Sequence, residues 1–293
     1  MNAFAQSAEE HYLAAKADVE GEKFRRSIKS YSKAIELDNN NAQYFFERGR
    51  SYFEIGQFPL AKADLDDAIA IDSTLAKAYH YRALYMFMLE NYSASIGDND
   101  QAIAHSTDEE LTTACLLNRG EAKYLSKDTL GAYKDLKAGL SADSKELESL
   151  KVMSNVLHDL EKHEEALEYL DRVIELEPKE IGGYINKGFE LEALGKYEKA
   201  VEAYNAAAQI DKLEPLVLSN RAHAYYKLGE YDKALKDINK SIYNQPMNAY
   251  AYQTRALILI EQEDFDKACK DLETARSMGF EGELRELREK HCR

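Results

Sequence analysis

The chain is 293 residues long and carries 53 acidic against 38 basic side chains, a formal net charge of −15. That balance argues against nucleic acid as a partner, because nucleic-acid recognition calls for a basic stripe; it suits a cationic protein partner or plain solubility. No run approaches the roughly 18 apolar residues that cross a bilayer, so no membrane span is expected.

Near the start, Ala3, Phe4, Ala5 and Gln6 have the small-x-small form of a signal-peptidase site, with only Met1 and Asn2 before it. Residues 1–7 are therefore expected to be a leader remnant or a tail. Ser7 and Glu10 then form a capping-box pattern, the hydroxyl accepting from an early backbone N–H and Glu10 reaching back. From Ala15 onward a small residue returns every 34 positions: Ala15, Gly49, Ala83, Gly120, Ser154, Gly188, Ala222 and Ala256, with one interval of 37 between Ala83 and Gly120. A second series stands 12 residues later: Ser27, Ala61, Ser95, Ala132, Ala166, Ala200, Ala234 and Ala268. A third lies seven beyond that: Ala34, Ala68, Ala102, Gly139, Val173, Ala207, Ser241 and Ala275.

Helices approach closely only where the facing side chains are small. Three such places per unit predict eight helix pairs, at about 8–41, 42–75, 76–109, 110–146, 147–180, 181–214, 215–248 and 249–280. Each pair buries its apolar face only against its neighbours, which predicts one elongated, cooperative unit. The prolines, Pro59, Pro178, Pro215 and Pro246, all fall where helices start or stop. The long interval contains Thr107 to Glu110, another capping-box pattern, and three extra residues are close to one helical turn. The first helix of the fourth unit is expected to begin early, from about Asp108; a plain longer loop is the alternative. After the eighth unit Met278 to Gly282 read as a turn, and 281–293 as a capping helix. Phe280, Leu284, Leu287 and His291 are expected to face the last repeat, and Glu283, Arg285, Glu286, Arg288 and Glu289 to face outwards.

Arg48, Arg82, Arg119, Arg221 and Arg255 each stand directly before the first small place. In the same five units an aspartate stands three residues after the second: Asp64, Asp98, Asp135, Asp237 and Asp271. The other three units have Ala14, Met153 and Lys187 in the first position and Ser30, Tyr169 and Ala203 in the second, none of them acidic. Both positions lie equally far from the turn. Five bidentate structural ion pairs between antiparallel helices are expected, fixing register while adding little net stability.

Most units also carry a turn followed by an aromatic: Gly21 and Phe24, Gly56 and Phe58, Glu90 and Tyr92, Gly195 and Tyr197, Gly229 and Tyr231, Glu263 and Phe265. This pattern, and stretches such as Tyr225 to Ala234, resemble the tetratricopeptide repeat family over roughly residues 8–280. The resemblance implies an all-α, right-handed superhelical solenoid of helix-turn-helix repeats, with first helices lining an inner groove and a non-catalytic role in holding other proteins. It places Phe46, Arg50, Phe53, His80, Leu84, Phe87, Met88, Leu117, Glu121, Tyr124 and Leu125 on the concave wall of units two to four. Such an apolar, aromatic wall suits an inserted helix or extended peptide; packing against adjacent helices is the alternative for any one of them. A subset of the family clamps a C-terminal carboxylate. Lys151, Asn155 and Asn186 match three places of that clamp, but Leu216 and Asn220 stand at its remaining basic places, so charge-assisted bonds it needs are missing.

No catalytic constellation emerges: there is no phosphate-binding glycine loop with its lysine, no Gly-x-Ser-x-Gly elbow, no His-Glu-x-x-His and no Cys-x-x-Cys. His158 and His163 are five apart and are expected to face different ways. Asp98, Asn99 and Asp100 hint at a calcium loop with Glu109 at its twelfth place, but Ala102 and Ile103 occupy positions that require an oxygen ligand and a glycine. No enzyme activity, cofactor or metal is expected. Cys269 and Cys292 flank the turn at Phe280 symmetrically, so antiparallel packing would bring their Cα atoms within the ~7 Å that a disulfide requires; two unrelated thiols are the alternative. Cys115 reads as a small core residue. A bridge and the leader-like start together favour a bacterial cell envelope, with the cytoplasm as alternative. The resulting expectation is a protein-interaction scaffold that binds a peptide or helical segment in its groove. The alternatives are a structural subunit associating through its ends or edges, and the recognition part of a larger enzyme.

Overall fold

The computed structural model describes residues 7–280 and 284–292, and among them the chain is helical with no strand. The leader-like residues 3–6 lie outside that range. Eight successive helix pairs are formed: α1 (Ala8–Glu20) with α2 (Phe24–Leu37), α3 (Ala42–Glu54) with α4 (Phe58–Ile71), α5 (Ala76–Met88) with α6 (Tyr92–His105), and α7 (Glu109–Leu125) with α8 (Thr129–Gly139). They continue as α9 (Leu147–Asp159) with α10 (His163–Leu176), α11 (Ile181–Ala193) with α12 (Tyr197–Ile210), α13 (Pro215–Lys227) with α14 (Tyr231–Asn244), and α15 (Ala249–Glu261) with α16 (Phe265–Ser277). A last helix, α17 (Leu284–His291), follows. The chain divides into two compact units, one ending at Val152 and the other beginning at Met153, inside α9. No described helix is long and apolar enough to cross a membrane.

Every member of the three small-residue series is buried. The glycines show why. A Cβ on Gly49 would come 3.1 Å from Asp64 Cβ and 3.2 Å from the Ala61 carbonyl oxygen, and one on Gly120 would come 2.8 Å from Leu136 Cγ. Larger side chains there would hold the paired helices apart and forfeit the close packing on which a repeat depends. Tyr31 and Tyr204 fill the wider gaps and are completely buried.

One residue in each hairpin turn is left-handed: Glu22, Gly56, Glu90, Lys127, Glu161, Gly195, Gly229 and Glu263, with φ between 56° and 73°. Glycine tolerates that conformation and the five non-glycine residues are strained in it. In the first hairpin Gly21 stands one place too early, at φ −90°, and Glu22 takes the strained position instead.

The Ser7 capping box is formed, with Ser7 Oγ accepting from Glu10 N at 3.2 Å and a Glu10 carboxylate oxygen accepting from Ser7 N at 3.0 Å. The three extra residues before α7, and one more taken from the preceding loop, are spent on helix: α7 has 17 residues where α5 has 13. Its cap is Asp108 rather than Thr107, because the Asp108 carboxylate reaches two backbone N–H groups, Glu110 at 3.0 Å and Leu111 at 3.3 Å.

All five arginine–aspartate pairs are present, at 2.6–2.7 Å. Arg48, Arg82, Arg119 and Arg255 grip both carboxylate oxygens. Each guanidinium also uses its remaining arm on the second helix of the preceding repeat. The acceptors are Ser32, Asp66, Asp100, Asn205 and Asn239, at 2.6–3.1 Å. One planar group thus sets the register inside a hairpin and between hairpins. Lys187, which lacks the aspartate, keeps the inter-repeat contact, to Asp171 at 2.5 Å. The residues that hinted at a calcium loop are drawn into the same network, Asp98 to Arg82 and Asp100 to Arg119.

At the far end Phe280, Leu287 and Cys292 pack on the core of the last repeat around Leu259 and Leu272, and the His291 ring stacks on Phe265. Arg288 does not face outwards as expected: it is half-buried and meets Glu273 at 3.1 Å, since α17 lies against α16. Cys269 of α16 and Cys292 are joined by a disulfide, their Cα atoms 5.6 Å apart.

Candidate functional site

Each unit contains a cleft walled mainly by first helices. The cleft of the first unit has a volume of about 930 Å³. Along α7, Glu110, Thr113, Ala114, Leu117 and Glu121 recur at helical spacing and line it, joined by Glu109 and Asn118. His80 of α5 stands on another wall, and Gly139, Ser144, Glu146, Leu147, Glu148 and Ser149 complete it. Gly139 is needed here, because Leu117 lies over it and a Cβ would come 2.6 Å from the leucine.

Five glutamates surround this cleft and its lining holds no lysine or arginine. Burial pushes the Glu121 carboxyl above the usual carboxylate range; the Ser149 hydroxyl, donating at 2.6 Å, opposes this, while Glu148 and Glu146 add to it. His80 is lowered by burial, with Asn99 opposing. Its Nδ1 lies 3.3 Å from Cys115 Sγ, and burial pushes that thiol up to about 11. That shift favours the protonated thiol near neutral pH.

Of the residues placed on a groove wall from the sequence, His80, Leu117 and Glu121 come together here. Phe46 does not belong to an exposed wall: it is 1% exposed and packs edge-on against Tyr81. Phe53 makes ring contacts with Phe58 and Tyr81, and Phe87 with Tyr92. These aromatics fill the space between helices, where helical spacing looks the same as on a cleft face. Arg50 reaches Glu47 at 3.4 Å, and Leu84 and Tyr124 are half-buried. Met88 and Leu125 remain exposed.

The cleft of the second unit is about 440 Å³. Four first helices contribute in succession: Ser154, Asn155 and His158 from α9, Ile185, Asn186, Phe189 and Glu190 from α11, Leu216 and Asn220 from α13, and Tyr250 from α15. Asn155, Asn186, Leu216 and Asn220, the clamp-like places, thus share one cavity, but no lysine or arginine lines it. Sequence reasoning missed Glu190 and misjudged the histidines. The hairpin turn through the left-handed Glu161 folds α10 back on α9 and brings the rings of His158 and His163 to 5.8 Å, so they do not face different ways. One signal was available for the cleft face: Asn118, Asn186 and Asn220 each stand two places before a small residue of the first series.

Comparison with known proteins places this arrangement. A family model described as TPR repeat matches residues 15–56 and 188–229, and two described as tetratricopeptide repeat match 150–180 and 215–248. The chain is 32% identical over 89 residues to Hsc70-interacting protein 1 of Drosophila melanogaster, covering 30% of this chain and 24% of that protein. It is 31% identical over 80 residues to serine/threonine-protein phosphatase 5 of Homo sapiens, covering 27% and 16%. The matched stretch is thus at most about a quarter of these relatives' length. Among solved structures, that of MamA protein superposes with a TM-score of 0.50 at 24% identity, covering 62% of this chain and 96% of that one. MamA from Desulfovibrio magneticus RS-1 gives 0.52 at 16% identity, covering 59% and 97%. These likenesses speak for the fold. The chain therefore contains tetratricopeptide repeats, matched at four places, and helix pairs continue at the same spacing around them.

Proposed function

We propose that the chain is a non-catalytic scaffold that holds a positively charged segment of a partner protein in the cleft of its first unit. The lining of that cleft carries the reading: Glu109, Glu110, Glu121, Glu146 and Glu148 stand around an apolar floor of Ala114, Leu117 and Leu147, His80 is the basic side chain in the lining, and Glu148 meets Lys151 at 3.2 Å beside it. Apolar contact with the floor supplies affinity, while the carboxylates steer and orient a cationic segment and reject an anionic one. Relatives named for interaction with Hsc70 support a protein partner. The neutral Cys115–His80 contact supports a binding role over a catalytic one. The Cys269–Cys292 link supports an oxidising compartment such as a bacterial cell envelope.

Affinity capture with the intact chain tests this, repeated with the Glu109→Gln, Glu110→Gln, Glu121→Gln triple variant. The captured partner is expected to bind through a lysine- or arginine-rich segment, and the triple variant to lose about tenfold in affinity, or 1.4 kcal/mol. Unchanged capture by the triple variant would exclude this cleft as the site. A second reading, a structural subunit associating along an edge, is favoured by the exposed Leu213, Tyr243 and Met247, the last two at 85% and 76%. Light scattering of the protein alone over a range of concentrations separates the two.

A further inference from the structure

We propose that His158, His163 and Glu190, at the wall of the second unit's cleft, form a binding site for a divalent transition-metal ion of the zinc type. This stands independently of the partner proposed for the first unit. Glu190 projects from α11 and is 3% exposed. One of its oxygens lies 2.8 Å from His158 Nδ1 and the other 2.7 Å from His163 Nδ1. One donor atom from each of the three residues falls within 4.8 Å of the others. The turn between α9 and α10 brings the two imidazoles to one point, and packing of α11 against α10 supplies the carboxylate.

The charge balance of this spot points to a cation. Elsewhere the chain meets its buried carboxylates with arginine, as at Asp64, Asp98, Asp135, Asp237 and Asp271. Among the described residues Glu190 is met by two imidazoles and by no arginine or lysine, and a buried carboxylate is costly unless paired with positive charge. The hydrogen bonding is also incomplete: His158 Nδ1 is buried and close to the carboxylate, yet misaligned for a hydrogen bond and without another partner. A cation seated among the three donors satisfies the orphaned nitrogen and neutralises the carboxylate together.

Donor chemistry selects the ion. Two imidazole nitrogens and one carboxylate oxygen suit zinc, cobalt or nickel, whereas calcium and magnesium prefer all-oxygen shells. Tetrahedral bonds of about 2.0–2.1 Å set neighbouring donors roughly 3.3 Å apart. The present nitrogen–oxygen contacts need to open by about half an ångström, and the widest donor separation, up to 4.8 Å, to close by about 1.5 Å, which side-chain rotations supply. Three protein ligands leave a fourth position. His158 and Glu190 both line the cleft, so that position is open to water there and to an oxygen donor on whatever enters.

The untagged, chelator-stripped intact chain is titrated with zinc chloride by calorimetry. In parallel, the imidazole proton signals are followed by NMR on adding cobalt(II). One equivalent is expected to bind with a dissociation constant of about a micromolar or tighter and to raise the melting temperature, with His158 and His163 the histidines broadened most. The His158→Asn, His163→Asn double variant is expected to lose more than about a hundredfold in affinity, beyond the loss of an outer-shell partner. His223→Asn, which removes the separate contact to Glu192 and the ring contacts to Tyr226 and Tyr250 but none of the three donors, is expected to bind as the parent does. The NMR arm uses the parent protein and reads the site even where a variant folds poorly. Absence of saturable binding at one equivalent overturns the proposal, as does broadening centred on other histidines or full binding by the double variant. Any of these leaves a purely structural His–Glu–His contact.

Discussion

Glu121 is a carboxylate held where water is scarce, and its cost can be measured. Burial raises its pKa above the ordinary range despite the Ser149 bond. Above that raised value the folded protein carries a charge the unfolded chain solvates better; as pH falls through it, the carboxyl protonates and the penalty disappears. Glu121→Gln keeps the acceptor for Ser149 and removes the charge. It is expected to be the more stable protein at pH 7 by about 1 kcal/mol. The two proteins converge as pH falls below about 4, the ordinary glutamate range. Denaturant titrations at several pH values check this, and a variant less stable than the parent at pH 7 contradicts it. A stabilising change that weakens capture of the partner marks a residue retained for binding. At this scale the sequence was legible where several copies could be compared: Arg48 and its four counterparts declared their aspartates by appearing and vanishing with them. Their third arm was hidden, because its acceptors are serine, aspartate and asparagine by turns, alike in hydrogen bonding but not in charge. Phe46 is buried rather than on an exposed wall, because a helical repeat of aromatics reads the same whether it faces a cleft or a neighbour.

Among the elements, the hairpin turns show how a repeat tolerates local strain. All eight share a left-handed residue at one place, but only Gly56, Gly195 and Gly229 are suited to it. Glu90, at φ 57°, is exposed, so its side chain contributes little that offsets the strain. Glu90→Gly is expected to stabilise the protein by about 1 kcal/mol, the relief of a non-glycine left-handed residue less the extra chain entropy of glycine. Thermal or urea unfolding measures it, and a destabilised variant would mean that Glu90 makes a contact outweighing its backbone. The turn itself was legible from its glycines and the aromatic that follows. Its exact left-handed position was not, since Gly21 sits one place early and the strain passes to Glu22. The long α7 was legible from its extra three residues and acidic start, although which side chain caps it depends on reach, and Asp108 wins over Thr107 by bonding two N–H groups. The clefts were least legible, since they arise between helices that the sequence presents one at a time.

In the whole molecule, each repeat is held by its neighbours and the last has only one repeat beside it. Here α17 takes the place of the missing neighbour, covering Leu259 and Leu272 with Phe280 and Leu287, and the disulfide pins it. The bridge closes a loop with a sequence separation of 23, long enough to contribute about 3 kcal/mol through the unfolded chain. In a single cooperative globule that loss would be shared by every helix. In a stack where stability passes only between adjacent repeats it stays local. Cys269→Ser, Cys292→Ser is therefore expected to raise amide exchange in α15, α16 and α17 while leaving α1 to α8 as protected as before. It is also expected to add a low-temperature step to the melting curve. Capture of the first unit's partner is expected to survive. Uniform loss of protection along the chain would instead show that the repeats unfold as one body, and local reasoning about either cleft would then have to include all the others.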